Sequence, residues 1–365
     1  MSPRPAQALT VLCVGYPFAR ISEETAGGAE HVLAMLEQGL VESGHRSVVV
    51  APEGSRCRGA LVPLEATRGA LSEDAMARGR RACRDAIEEA LRSFPVDIVH
   101  MHGVDFMAYL PSAGPPLLAT LHLPPGWYPP GVFALERPQT YLNCVSDAQL
   151  AGCPPSPAMI GAIANGVDLE ALRPSRRRDG HVVALGRICP EKGFHLALDA
   201  AHRANVPMIL AGEVFPYPAH ERYFREEILP RLDSLRRFVG PVGVEEKRVL
   251  LGRAACLLVP STAAETSSLV CMEALACGTP VVAFRAGAIP GLIEHGRTGL
   301  LVGSASEMAD AIPRAAALDR QACRRAAEER FSARHMVSRY LALYGALMDR
   351  GRAAGAGRLA ANGLG

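Results

Sequence analysis

Short apolar runs alternate with helix-length segments through the first half of the chain, at 10–14, 47–51, 97–101, 117–121, 141–145 and 162–164. The second half repeats the scheme at 182–185, 207–211, 238–242, 256–259, 280–284 and 298–302. Strand-length runs separated by helices predict parallel sheets covered on both faces, so the pattern predicts an α/β protein of two doubly wound domains. Their junction is expected in the charged, Pro- and Gly-containing stretch from Leu172 through Pro174 to Gly180, giving an N-terminal domain over 1–172 and a second over 173–332. After it, Met336, Tyr340, Leu341, Tyr344 and Leu347 recur at helical spacing and predict a last helix over 333–351. Residues 352–365 carry no packing pattern and read as a disordered tail.

Composition narrows the class. The 365 residues, 49% hydrophobic and 21% charged, can bury two ordinary domain cores. A net charge of +2 argues against nucleic acid as a partner. The basic runs Arg176-Arg177-Arg178 and Arg236-Arg237 lack interleaved aromatics and read as solvated surface, with weak peripheral attraction to membrane headgroups as the alternative. Residues 1–8 have little apolar character, and 9–14 is strand-length and followed by polar sequence, so neither a signal peptide nor, elsewhere, a membrane span is expected. The ten cysteines form no C-x-x-C pair, and Cys13, Cys144, Cys256 and Cys271 sit in apolar patterns. They read as buried thiols of a cytoplasmic protein, and no structural zinc site is expected.

The chemistry concentrates after the run 256–259. Glu265 and Glu273, with seven residues between them, bracket Thr266-Ser267-Ser268, which can cap a helix beginning at Leu269; Gly278 suits its left-handed stop and Pro280 blocks continuation. In that frame Glu265 lies in the loop, Glu273 lies about one turn inside the helix, and the free N–H groups of the first turn can meet an anion. A second block, His181 to Gly193, begins as a buried strand and breaks at Gly186, bringing Arg187 and Lys192 to the carboxyl edge of a parallel sheet. One forked and one point-like cation suit a diphosphate; the alternative is a pair of solvated charges at a strand end.

Pro260 and Ser261, then Glu265, Glu273, Ala274, Ala276, Gly278, Pro280, Val281 and Val282, follow the order of the signature P-S-x-x-E-G-F-G-x-x-x-x-E-A-x-A-x-G-x-P-V-V, with one residue more between Ser261 and Glu265 than the signature has. The chain therefore resembles glycosyltransferase family 4, retaining enzymes of the GT-B fold, in which two Rossmann-like domains enclose a ligand cleft. It departs at Thr266-Ser267-Ser268, where the family has Gly-Phe-Gly. Gly186-Arg187 through Glu191-Lys192-Gly193 matches the family's G-R-x-x-x-E-K-G, whose Arg and Lys contact the donor diphosphate. The resemblance also implies that the last helix crosses back to the first domain.

The first half supplies a further set of candidates. Gly27-Gly28-Ala29-Glu30 feeds a helix carrying Val32, Leu33, Leu36 and Leu40; it lacks the G-x-G-x-x-G of dinucleotide sites and resembles the family-4 glycine loop near donor and acceptor. His102 and His122 each end a strand, and His122 fits the family position facing the donor sugar. Pro124 to Pro130 is a rigid loop holding Trp127, the single Trp, and Tyr128; it reads either as an acceptor contact or as a packed anchor. Asn165-Gly166-Val167-Asp168 resembles a structural turn of the family.

The resemblance implies transfer of a hexosyl group from a nucleoside-diphosphate sugar (a UDP- or GDP-sugar), used as co-substrate with no cofactor and no metal, to a hydroxyl of a glycan, lipid or small molecule. Arg187, Lys192, Glu265 and His122 are the implied catalytic set. Gly28, Gly186, Ser267, Ser268, Leu269, Val270 and Glu273 are implied on the donor, and Gly27, Trp127 and Tyr128 near the acceptor. Backbone groups near 238–242 are expected to meet the nucleobase. The competing readings are another GT-B enzyme, an epimerase or phosphorylase; a sugar-nucleotide-binding protein without catalysis; and a nicotinamide oxidoreductase, which the missing glycine fingerprint disfavours.

Overall fold

The computed structural model describes residues 8–22, 27–66 and 71–362, the last ten as backbone alone. The start of the segment read for a signal peptide, the middle of the polar link to Gly27, and the last three residues of the expected tail lie outside the described residues. The chain divides into two compact units, 1–164 with 334–365, and 165–333.

The first unit holds a seven-stranded parallel sheet in the order β3-β2-β1-β4-β5-β6-β7. Its strands are β1 (Thr10–Val14), β2 (Arg46–Pro52), β3 (Ala60–Leu64), β4 (Ile98–Met101), β5 (Leu117–Leu121), β6 (Thr140–Cys144) and β7 (Met159–Ala162). The central strands are buried throughout because helices cover both faces. Among these helices, α1 (Gly28–Glu42) buries Val32, Leu33, Leu36 and Leu40, α2 (Glu73–Ser93) buries Cys83, Ile87 and Ala90, and α3 (Asp147–Ala151) follows β6. The strand β3 was not expected from the sequence: it is a half-exposed edge with Pro63 inside it, a place where a missing N–H is tolerated.

The second unit holds a six-stranded parallel sheet in the order β10-β9-β8-β11-β12-β13. Its strands are β8 (Val182–Leu185), β9 (Met208–Ala211), β10 (Arg236–Phe238), β11 (Cys256–Val259), β12 (Val281–Phe284) and β13 (Gly299–Val302). The helices are α4 (Phe194–Arg203), α5 (Pro218–Tyr223), α6 (Val244–Arg253), α7 (Leu269–Ala276), α8 (Ile289–Leu292), α9 (Ala305–Ala316) and α10 (Arg320–Arg330). One core layer packs α7 and α10 side chains such as Leu275 and Cys323 against Val183, Leu257 and Val281; the other packs Leu198 of α4 and Ile312 of α9 against Ala184, Leu258 and Val282.

Two expectations are corrected here. The strand sought at 238–242 lies at Arg236–Phe238, because Gly240 takes a left-handed φ of 78° and Pro241 lacks a donor. Arg236 is accordingly not solvated surface: it is 5% exposed, with Nη1 donating to Asp233 at 3.1 Å and Nη2 to the Ala201 carbonyl at 3.1 Å.

The last helix, α11 (Ala333–Asn362), belongs from Arg334 onward to the first unit, and it continues through the stretch read as a tail. Alanine after alanine gives that stretch helix propensity even where it has no apolar face. Nearer its start α11 buries Met336, Val337, Tyr340, Tyr344 and Leu347, and Val337 packs where a Cβ on Gly39 of α1 would stand. The boundary between the units falls between Ala164 and Asn165, ahead of the charged linker, because the Asn165 turn is tied into the second unit: Val167 N–H donates to the Phe331 carbonyl at 2.8 Å.

Candidate functional site

In each sheet the strand order reverses beside the first strand of the series, between β1 and β4 and between β8 and β11. Crevices at such switch points, beyond the carboxyl ends of the strands, are where open α/β sheets bind ligands. The loops after β8 and β11 carry Arg187, Lys192, Ser261 and Glu265.

The loop after β8 turns at Gly186 (φ 148°) and ends at Gly193 (φ 64°). A Cβ on Gly193 would collide with the carbonyl of Pro260, so this glycine lets the β8 loop lie against the β11 loop. The Thr262 N–H then donates to the Glu191 carbonyl at 2.9 Å, fixing one loop to the other. Lys192 Nζ reaches Glu265 Oε1 at 2.6 Å, and Ser261 Oγ donates to the same oxygen at 2.6 Å. Glu265 is held in turn by its backbone: its carbonyl accepts the Ala288 N–H at 2.7 Å, and Gly287 (φ 56°) passes where any Cβ would strike it. Arg187 is exposed.

The helix α7 begins and stops at the residues expected from the sequence. Ser268 occupies its N-cap in an extended conformation, yet its hydroxyl caps nothing. The Oγ atoms of Ser267 and Ser268 are both buried and have no hydrogen-bond partner among the described residues. At the other end Gly278 N–H donates to the Leu275 carbonyl and Thr279 N–H to the Ala274 carbonyl, a Schellman stop with Gly278 at φ 69°. Glu273 is 5% exposed and pairs with Lys247 Nζ of α6 at 2.6 Å. The sequence reading missed Lys247, because a lysine behind two glutamates at a helix start looks like any solvated charge; only the packing of α6 turns it inward. Thus Gly186, Arg187, Lys192, Glu265, Ser267, Ser268, Leu269, Val270 and Glu273 all lie in the second unit, around one switch point.

The other candidates belong to the first unit. Gly27 is the N-cap of α1 and Gly28 its first residue; the Glu30 carboxylate lies over Gly27 where a Cβ would stand. His122 follows β5, and its Nε2 lies 3.0 Å from Nδ1 of His102, whose ring stacks on it. Burial holds all three neighbouring rings neutral: His122 is lowered to about 4, and His100 and His102 fall well below the ordinary range. Behind them His100 Nε2 meets Thr120 Oγ1 at 2.7 Å and His100 Nδ1 meets the Tyr344 hydroxyl at 2.7 Å. Thr120 donates to Asn143 Oδ1 at 2.7 Å, so it accepts from His100, which is therefore the Nε2–H tautomer accepting from Tyr344.

The two aromatic candidates separate. Trp127 is 55% exposed. Tyr128 is buried, and its hydroxyl accepts the N–H groups of His122 at 2.9 Å and Leu123 at 3.1 Å. Tyr128 thus anchors the loop after β5 through the two backbone donors that meet its hydroxyl.

Comparison with known proteins agrees with these elements. Residues 26–171 match the family model described as Glycosyltransferase Family 4, and residues 179–317 match that of Glycosyl transferases group 1. The chain is 35% identical over 217 residues to D-inositol 3-phosphate glycosyltransferase of Mycobacterium tuberculosis, a match over 52% of this chain and 44% of that protein. It therefore spans less than half the length of the curated relatives it matches. Among solved structures, AviGT4, a glycosyltransferase involved in avilamycin A biosynthesis, is 26% identical with a TM-score of 0.70, covering 93% of this chain and 98% of that one. Sucrose-phosphate synthase from Thermosynechococcus elongatus shares the fold at 19% identity and a TM-score of 0.75, covering 94% of this chain and 100% of that one. The Anabaena protein HepE in complex with UDP and glucose does so at 19% identity and a TM-score of 0.70, covering 92% and 99%. With two family models spanning most of both sheets, the chain belongs to the family-4, group 1 glycosyltransferases of GT-B fold.

Proposed function

We propose that the protein moves a hexosyl group from a UDP- or GDP-sugar to a hydroxyl acceptor, a glycan, lipid or small molecule, with retention of configuration and without a catalytic metal. The observation that carries the reading is the start of α7: two buried hydroxyls without partners, beside helix N–H groups that have no intrahelical acceptor, next to the Lys192–Glu265 pair. Unpaired buried polar groups are costly unless a ligand meets them. A donor phosphate oxygen accepts from both the hydroxyls and the amides. HepE, which shares this fold, is known with UDP and glucose.

In this mechanism Arg187 and Lys192 hold the diphosphate and oppose the charge that grows on it as the bond between the sugar C1 and the phosphate oxygen breaks. Glu265, freed in part from Lys192 as that lysine turns to phosphate, accepts from sugar hydroxyls. Glu273 accepts from the ribose hydroxyls, with Lys247 as its counter-ion. Neutral His122 hydrogen-bonds to the sugar without adding charge. The acceptor oxygen bonds C1 on the face the phosphate leaves, and its proton passes to the departing phosphate oxygen. The positive potential that a metal would supply comes from Arg187, Lys192 and the α7 N-terminus.

A panel of uridine-, guanosine- and adenosine-diphosphate sugars tests this by melting shift and release of the nucleoside diphosphate. One donor should raise the midpoint, and Arg187→Ala should lower turnover by about 10²-fold or more. No shift with any donor, or ordinary turnover in R187A, would sink the reading. A shift without turnover under any acceptor would leave a binding protein.

A further inference from the structure

The loop after β8 carries a second cluster that this reaction does not use. Cys189 and Glu191 flank Pro190 where the loop enters a short 3-10 turn (Pro190–Lys192), and His220 comes to them from α5. Their ligand atoms all lie within 4.8 Å of one another. Cys189 is 3% exposed. The His220 ring stands edge-on to Tyr217, centroids 5.2 Å apart, and its Nδ1 is buried with no hydrogen-bond partner among the described residues. The helix α5 is itself pinned: the Tyr223 hydroxyl accepts the His195 N–H at 3.2 Å and meets His195 Nδ1 at 3.0 Å. The expectation against zinc rested on C-x-x-C spacing, whereas this cluster is brought together by the fold.

We propose that Cys189, Glu191 and His220 bind one divalent cation of the zinc class, with water completing a tetrahedral site. A thiolate and an imidazole select zinc-like ions over magnesium or calcium, which prefer all-oxygen shells. Three protein ligands with an open fourth position are an established zinc arrangement. Bonds of about 2.0–2.3 Å place neighbouring ligands roughly 3.3–3.8 Å apart, so the cluster closes by about an ångström at most pairs, a distance that side-chain rotation at the exposed Glu191 and half-buried His220 spans. On binding, the S–H bond breaks, an S–metal bond forms, and the proton leaves to solvent. Nothing is oxidised or reduced. The cation ties α5 to the loop that holds Arg187 and Lys192, so its occupancy stiffens that loop. Any consequence for donor affinity rests on the proposed function, but the metal site does not.

The test is titration of the reduced full-length protein with Co²⁺ alone, reading the near-ultraviolet thiolate-to-cobalt charge-transfer band, followed by displacement with Zn²⁺. One equivalent should develop the band and Zn²⁺ should abolish it. Cys189→Ser and His220→Gln should each weaken Co²⁺ binding at least tenfold, about the loss seen even for outer-shell partners, while Cys153→Ser leaves it unchanged. No band in the wild-type protein, or a band untouched by H220Q, overturns the proposal. His220 is half-buried, so H220Q keeps the test decisive even if C189S fails to fold. A cobalt band in a protein that binds no nucleotide sugar would leave the metal site standing and the donor reading fallen.

Discussion

At the scale of single residues, the site is an arrangement of charges that stabilise one another within one unit. Glu273 is buried and Lys247 is its counter-ion, so removing the lysine leaves an uncompensated carboxylate. Lys247→Met should cost about 2 kcal/mol or more in urea denaturation, and adding Glu273→Gln should recover much of it; equal losses in single and double variants would mean that the pair is not coupled. The histidines give a pH dependence of known sign. His100, His102 and His122 are neutral in the folded protein because burial lowers them, whereas in the unfolded chain they protonate near 6.5. The unfolded state then binds more protons, so their contribution is complete above about pH 6.5 and is lost as pH falls toward 4. The urea midpoint should drop steadily over that window, and His102→Asn should flatten the profile; an unchanged slope in H102N would mean that the histidine cluster does not govern it.

At the scale of elements, α7 and α9 begin with serines that do opposite things. Ser304 caps α9, its hydroxyl accepting the Glu307 N–H at 3.1 Å, whereas the Ser268 hydroxyl at the start of α7 accepts nothing. Ser304→Ala should therefore cost about 1 kcal/mol, and Ser268→Ala less than about 0.5 kcal/mol in the free protein. With a bound donor the order should reverse, S268A losing several-fold in affinity and S304A none. Calorimetric titration beside thermal melts checks both, and an S268A protein that binds donor normally would remove that hydroxyl from the site. The departure Thr266-Ser267-Ser268 is thus legible in physical terms: three hydroxyl side chains stand where the family signature has Gly-Phe-Gly. The extent of α7 was legible too, since a serine at the N-cap position, an eight-residue apolar stretch and a left-handed glycine bound it on both sides. The strand β10 was not, because two of its three residues are arginines, and Arg236 is inward only by virtue of Asp233 and the Ala201 carbonyl.

At the scale of the whole molecule, the described residues include no helix long and apolar enough to cross a membrane. The last helix completes the first unit, with Tyr340 and Tyr344 closing the buried ladder of His100, Thr120 and Asn143. Tyr344→Phe deprives His100 Nδ1 of its donor and should destabilise the first unit by about 1–3 kcal/mol. The donor-dependent melting shift should be unchanged in Y344F, as read with and without nucleotide sugar; a lost shift would mean that the tyrosine ladder bears on donor binding. Much of this architecture follows from the chain alone. Apolar runs of strand length separated by helices determined two parallel sheets, because each backbone must bury its polar groups in ladders and its side chains under helices. Gly186, Gly193 and Gly278 marked where the backbone turns, because left-handed conformations select glycine. What the sequence could not carry was the meeting of residues far apart in it: Lys247 with Glu273, Tyr128 beneath His122, His102 against His122, and His220 beside Cys189. Periodicity records which face a residue occupies, but a polar side chain is drawn inward by a partner contributed by another element. Only the tertiary structure decides that pairing.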